Sequence, residues 1–201
     1  MKTLLKRLLR YLAVEHDVAV SLYRRLNRPD GDEWAIYLRR RNLLHAMGEC
    51  CSIQTNVTFT DPAYTKLGSN VWLTGCTLIA HDASVIMLNR ALGLKLDRVG
   101  KIDIRDNVFV GHGSIILPGV TIGPNTIVAA GSVVNRDVPP GTIAAGVPAR
   151  VVGQLDAFIA RLQTQTEQLP WAELFSRYCE SFDPALRAAI ERLRIQQFFG
   201  G

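Results

Sequence analysis

Cysteine is scarce in this sequence, and none of the four residues, Cys50, Cys51, Cys76 and Cys179, belongs to a CxxC pair. Cys50 and Cys51 are adjacent, a spacing poorly suited to an ordinary disulfide, so no extracellular cross-linked framework is spelled out. Reduced thiols in a cytoplasmic protein are expected. Neither GxGxxG nor a Walker-type loop is present, which disfavours a nucleotide-triphosphate enzyme. A secretory leader is not expected either, because Lys6, Arg7 and Arg10 interrupt the leucines that an apolar leader keeps continuous. Charge is missing from the stretch between Asn107 and Asn135, where His112 is the one titratable side chain. A membrane span of that length is conceivable on hydropathy alone. Its prolines, glycines and hydroxylated residues recur at a fixed phase, however, which predicts a buried interior with polar corners. The net charge of +5 has a local origin, since residues 1–47 hold ten Lys/Arg against five Asp/Glu and the remainder is balanced. The body of the chain therefore gives no reason to expect nucleic acid.

What the chain does contain is a sixfold period. Ile104, Val110, Ile116, Ile122, Val128 and Val134 keep the step, and four places after each stands Val108, Ser114, Val120, Thr126, Ser132 or Val138. Neither a helix nor simple alternation has this period. Turn residues at constant phase within it are the mark of hexapeptide β-helix repeats, in which a short strand and a corner bury their inner face only by stacking. An earlier run predicts Ile53 and Phe59, a two-residue slip to Leu67, then Leu73, Ile79 and Val85, with Val57, Val71, Thr77 and Ala83 as partners. Between residues 86 and 101 the pattern lapses and a projecting loop is expected, the kind of segment in which function concentrates on a rigid scaffold.

Helical spacing flanks the repeats. Met1 to Asn27 reads as one helix with an apolar stripe through Leu4, Leu5, Leu8 and Leu12, set to pack on the body; its basic face also suits contact with an anionic membrane surface. After a turn at residues 28–32, an acidic cap starts a second helix over Glu33 to Met47 that Gly48 ends. Beyond Val152, Leu155, Phe158, Ile159 and Leu162 and then residues 171–199 restore helical spacing, with Pro170 and Pro184 as breaks. The expected organisation is a helical segment over 1–48, a β-helix over 49–152 with its loop at 86–101, and a helical appendage over 153–201 that covers the open end of the coil or grips a neighbour.

Two stretches, NVFVGHGSIILPGVTIG and AAGSVVNRDVPPGTIAAGVPARVV, make residues 53–152 resemble the hexapeptide-repeat acyltransferases. The branch is the one that includes galactoside, maltose, xenobiotic and polysaccharide O-acetyltransferases. This resemblance implies a mainly β protein built on a left-handed parallel β-helix, assembled as a homotrimer with active sites between subunits and using acetyl-coenzyme A as co-substrate. It also implies that His81, in TLIAHDAS, is the catalytic histidine. Neutral imidazole is matched near pH 7 to removing a proton from a hydroxyl during attack on a thioester. Asp82 is the candidate orienting partner, although neighbouring side chains on a strand point to opposite faces.

By the same resemblance, acetyl-coenzyme A falls on Gly111, His112, Ala130, Gly131, Asn135, Arg136 and Arg150, with the His112 amide facing the thioester carbonyl as an oxyanion donor. Small residues admit the pantetheine arm and guanidinium groups suit phosphate. Asp61 is a candidate for binding acceptor hydroxyls, an Asp-Pro turn explaining it equally well, and Met87 and Asn89 are placed at the acceptor pocket. His112 shares a repeat phase with His81, but catalytic zinc takes three protein ligands and only these two histidines lie in the repeats. No metal is expected. Cys76 is a poor nucleophile candidate, its phase suiting a corner. The reading is an enzyme that acetylates a hydroxyl of a sugar or polysaccharide precursor. Transfer to an amine of an amino sugar or antibiotic, and a noncatalytic scaffold, are the alternatives.

Overall fold

The computed structural model describes residues 2–200; Met1 and Gly201, the outer bounds of the two expected helical segments, lie outside the described residues. The chain divides into two compact units after Leu155.

The first unit opens with three helices, α1 (Lys2–His16), α2 (Val20–Asn27) and α3 (Gly31–Arg40). The single helix expected over residues 1–27 is thus two. At the break, the Asp17 N–H bonds Ala13 O and the Val18 N–H bonds Leu12 O, with Asp17 left-handed at φ 60°. The Asp17 bond is that of an αL ending, made here by an aspartate where glycine is usual. Tyr37 Oη donates to Asp17 Oδ1 at 2.8 Å and holds the turn. The apolar stripe also sits elsewhere: Leu9, Ala13 and Val14 are buried, whereas Leu4, Leu5 and Leu8 are exposed. Asp30 caps α3 by accepting from the Glu33 N–H at 2.9 Å. This helix ends at Arg40, with Asn42 left-handed, and not at Met47. Residues Ala46–Met47 are already the first strand, β1, and Gly48 bonds Leu67 O in the next coil.

Four coils follow. The first comprises β1, β2 (Ser52–Ile53) and β3 (Thr58–Phe59), and the second β4 (Thr65–Leu67), β5 (Val71–Leu73) and β6 (Thr77–Leu78). The third comprises β7 (Ile102–Ile104), β8 (Val108–Val110) and β9 (Ile115–Ile116), and the fourth β10 (Thr121–Ile122), β11 (Thr126–Val128) and β12 (Val133–Val134). Each strand pairs in parallel with its equivalent one coil away, giving three sheets: β1-β4-β7-β10, β2-β5-β8-β11 and β3-β6-β9-β12. The second sheet is continued by β13 (Thr142–Gly146), which turns back antiparallel as β14 (Ala149–Gln154). The repeats therefore finish in a hairpin.

Inside the prism the repeat residues form three ladders. Leu67, Ile104 and Ile122 line one wall, Ile53, Leu73, Val110 and Val128 the second, and Leu78, Ile116 and Val134 the third, none more than 1% exposed. At the smaller inward positions the hydroxyls of Ser114 and Ser132 bond Ala129 O, so these buried donors are satisfied. The corners between the first two sheets carry Asn70, Asn107 and Asn125, all left-handed and joined by side-chain amide bonds of 2.9 Å. The inward residue of β6 is Leu78, paired with Phe59 and Ile116; Ile79, predicted for that place, is only half-buried. A five-residue step between Leu73 and Leu78 makes the difference, and Cys76 consequently points into the core and not to a corner. Val85 belongs to α4 (Ser84–Leu92), a helix within the stretch expected as loop.

The second unit contains most of α5 (Leu155–Glu167) together with α6 (Ala172–Ser181) and α7 (Pro184–Phe199). Asp183 caps α7 through the Ala185 N–H, with Pro184 at the first helical position, where its missing N–H costs nothing. Trp171 is buried against the Phe198 ring, with the Arg194 guanidinium over its face.

Two outcomes follow. Ile116→Ala, which opens a cavity in the middle of one ladder, should lower unfolding free energy by about 2–5 kcal/mol in a urea titration. A thiol reagent should label Cys50 and Cys179 in the native protein and all four cysteines once it is unfolded; burial pushes the Cys76 thiol up to about 12 and raises that of Cys51.

Candidate active site

The loop leaves the prism at the corner between the third and first sheets in the second coil, and the last residue before it departs is His81. An antiparallel bridge between His81 and Val99 closes the neck, with the Asp82 N–H on Arg98 O at 2.9 Å. His81 Nδ1 lies 2.6 Å from Asp61 Oδ2, a residue of the same corner one coil earlier. An ionised carboxylate can only accept, so Nδ1 is the donor, and in the neutral ring Nε2 presents its lone pair. Nε2 has no partner among the described residues. Thr60 Oγ1 donates to the same Asp61 oxygen at 2.7 Å, and Thr60 in turn accepts the Ala80 N–H. The Thr60 hydroxyl, followed by His81, holds the Asp61 carboxyl below the usual aspartate range. This pair of His81 and Asp61 is the arrangement of a base with its orienting carboxylate.

The partner differs from the expected one. Asp82 accepts the Ser84 N–H just before α4 and pairs with Arg98 at 3.2 Å, and the Ser84 bonds lower its pKa. Asp61, expected on the acceptor side, occupies the position foreseen for Asp82, and it also opens the 3-10 turn Pro62–Tyr64. Thr60 carried no sequence signal beyond its place before Asp61. Asn89 spends both ends of its amide on Leu96, donating to its carbonyl and accepting its N–H, and so braces the loop behind α4. Met87 is 59% exposed on that helix.

A second group gathers at the corner between the second and third sheets. Gly111 passes directly under Ala130, where a side chain would meet the Ala130 N at 2.4 Å, and the Gly131 N–H bonds His112 O at 2.8 Å. The His112 imidazole fills the space that Gly75 leaves empty one coil below. Gly111 and Gly113 commit their amides to Val128 O and Gly75 O, whereas the His112 N–H meets no acceptor among the described residues. His112 follows its inward residue Val110 by two positions and His81 follows Leu78 by three, on different corners. The shared phase predicted for the two histidines does not hold, because of the five-residue step. Among the described residues no three His, Cys, Asp or Glu side chains could together hold a metal ion. Asn135 and Arg136 lie at the His81 corner two coils along, and Arg150 lies exposed in β14, its Nη1 on Ala149 O.

The family model described as bacterial transferase hexapeptide (six repeats) matches residues 101–136. Around the hexapeptide array, galactoside O-acetyltransferase of Escherichia coli is 36% identical over 106 residues, which cover 50% of this chain and 49% of that protein. A 2,3,4,5-tetrahydropyridine-2,6-dicarboxylate N-acetyltransferase of Staphylococcus aureus is 51% identical over 51 residues, 25% of this chain and 21% of its own. Among solved structures, a hexapeptide-repeat acetyltransferase from Vibrio cholerae aligns over 63% of this chain and 81% of that one, at 25% identity and a TM-score of 0.49. The chain spans about half the length of the curated relatives it matches. No helix among the described residues is long and apolar enough to cross a membrane.

The hydrogen bonds on Asp61 have a measurable sign. A carboxyl depressed by native contacts contributes stability above its unfolded pKa and loses it as pH falls through the folded value. A carbon-13 titration should find the Asp61 midpoint below that of ordinary aspartates, and Thr60→Val should raise it; an unchanged midpoint would remove the hydroxyl from the pair.

Proposed function

We propose that this chain is an acetyltransferase that moves an acetyl group from acetyl-coenzyme A to a hydroxyl of a sugar or polysaccharide precursor, with His81 as general base. The observation that carries the reading is the His81–Asp61 pair at the neck of the loop, 2.6 Å long, with Nε2 left open. Asp61 keeps the proton on Nδ1, and Nε2 takes the acceptor hydroxyl's proton as its oxygen attacks the thioester carbon. The carbonyl becomes an oxyanion, for which the unpaired His112 amide is the donor on hand. Collapse breaks the carbon–sulfur bond, and the thiolate leaves with the proton from the imidazolium. The enzyme forms no covalent intermediate. A core-facing thiol at about 12 suits Cys76 to no nucleophilic role.

A homotrimer of left-handed coils accounts for one further feature. In a single chain the His81 corner and the Gly111–Gly131 corner stand at opposite edges of the third sheet, roughly 15 Å apart at about 3.3 Å per residue. One thioester cannot touch both. Two prisms side by side would bring the base of one chain against the glycine corner of its neighbour, where Ala130 and Gly131 leave room for a pantetheine arm. Asn135, Arg136 and Arg150 are exposed and would serve its polar parts. The Escherichia coli relative, a galactoside O-acetyltransferase, favours a hydroxyl acceptor, and its match covers more of this chain than that of the N-acetyltransferase. An amine acceptor would use the same base.

The test is release of free coenzyme A thiol across sugars, amino sugars and antibiotics. An acceptor should be found, and His81→Ala should lower kcat by about 10²- to 10⁴-fold, the range of general-base assistance. Undiminished turnover in that variant would remove the base assigned here.

A further inference from the structure

On the outer face of the first sheet, Lys66 of β4 and Asp103 of β7 are cross-strand neighbours, and with His45, Tyr64 and Lys101 they line a cavity of about 480 Å³. Asp103 is 4% exposed and is the one charged residue among the buried side chains described. Its Oδ2 holds Arg105 Nη2 at 3.0 Å and, loosely, Lys101 Nζ at 3.9 Å. Its Oδ1 is enclosed and has no partner. The stacking rule does not ask for a carboxylate here. The next residue in the same row is Thr121, and the inward ladder is complete without it. A buried acceptor without a donor is unfavourable unless something else supplies the donor.

The cavity adjoins the catalytic pair. Val99, one of its walls, is bridged to His81, and Ala63 and Tyr64 follow Asp61 in the 3-10 turn. Lys66 makes no ion pair among the described residues. Lys101 is 69% exposed at its side chain and is held only loosely, by Oδ2 of Asp103. Tyr64, half exposed, offers an aromatic face at the rim.

We propose that this cavity is the acceptor subsite and takes a saccharide that carries an acidic group. Oδ1 of Asp103 accepts a hydrogen bond from a sugar hydroxyl, the ammonium groups of Lys66 and Lys101 pair with the acid, and the sugar ring lies on Tyr64. The inference rests on the acetyl-transfer reading and narrows its acceptor from saccharides in general to sugar acids or sugar phosphates, which share this chemistry.

Ligand-observed NMR titrations of the full chain with glucuronate, glucose 6-phosphate and glucose test it, run beside coenzyme A binding and thiol release. One or both acidic probes should bind about tenfold or more tightly than glucose, the weight of one charge-assisted contact. The tighter of the two identifies the acid. Asp103→Asn and Lys66→Gln should each weaken the acidic probe by a similar factor and leave coenzyme A binding as it was. Should Asp103→Asn fail to fold, Lys66→Gln, at an exposed position, decides. His81→Ala should bind the probe normally while releasing thiol about 10²- to 10⁴-fold more slowly. Equal binding of glucose and the acids, unchanged binding in the variants, or weakened coenzyme A binding in their place would overturn the subsite. Firm probe binding by a wild-type chain that releases no thiol with any acceptor would keep the saccharide site and overturn the acetyl-transfer reading instead.

Discussion

Stacking of one coil on the next is the constraint from which the other features follow. A coil of short strands has no core of its own; its inward side chain is buried only when the coils above and below place theirs on the same wall. Ile116 touches a dry environment because Leu78 and Val134 flank it in register. Backbone bonds run the same way, from each coil to the next, so an error in phase exposes both an aliphatic side chain and unpaired amides. This explains why corners are built from residues that accept a left-handed backbone, as Asn70, Asn107 and Asn125 do, and why their side chains form a ladder of their own.

A scaffold this repetitive acquires a site where the repeat is broken. The eight-residue step from Phe59 to Leu67 makes room for the 3-10 turn that Asp61 begins, and the loop between Asp82 and Arg98 leaves the same corner one coil later. The two irregularities lie one above the other. Their superposition brings the Asp61 carboxylate to the His81 imidazole, while the corner on the far side of the third sheet carries glycines, Ala130 and His112 with its free amide. The cavity around Asp103 opens beside the same break, on the sheet that the loop rejoins.

Much of this was legible in the chain. Every inward residue from Ile104 to Val134 follows from the sixfold step, whereas His81 at the edge of the loop and the glycine corner at Ala130–Gly131 were marked by the family resemblance. The errors have separate physical causes. The five-residue step between Leu73 and Leu78 is invisible to a fixed period when Leu78 and Ile79 are both aliphatic, and only pairing with Phe59 and Ile116 chooses between them. The stops at Asp17 and Asn42 are left-handed endings on residues other than glycine, the first held by the contact of Tyr37 to Asp17, remote in sequence. Leu4, Leu5 and Leu8 are as apolar as Leu9, and position relative to the first coil decides which is buried.

Asp61 stands where Asp82 was expected for a similar reason. Sequence adjacency makes Asp82 the natural companion of His81, yet neighbours along an extended chain point apart, and a residue twenty positions away stands directly beneath. The sequence by itself determined the period, the parallel coil and the place where the coil is interrupted, since these follow from which side chains avoid water at each sixth position. Tertiary structure alone decided which carboxylate meets the imidazole and that a charged Asp103 lies buried beside it, because both depend on what one coil sets against the next.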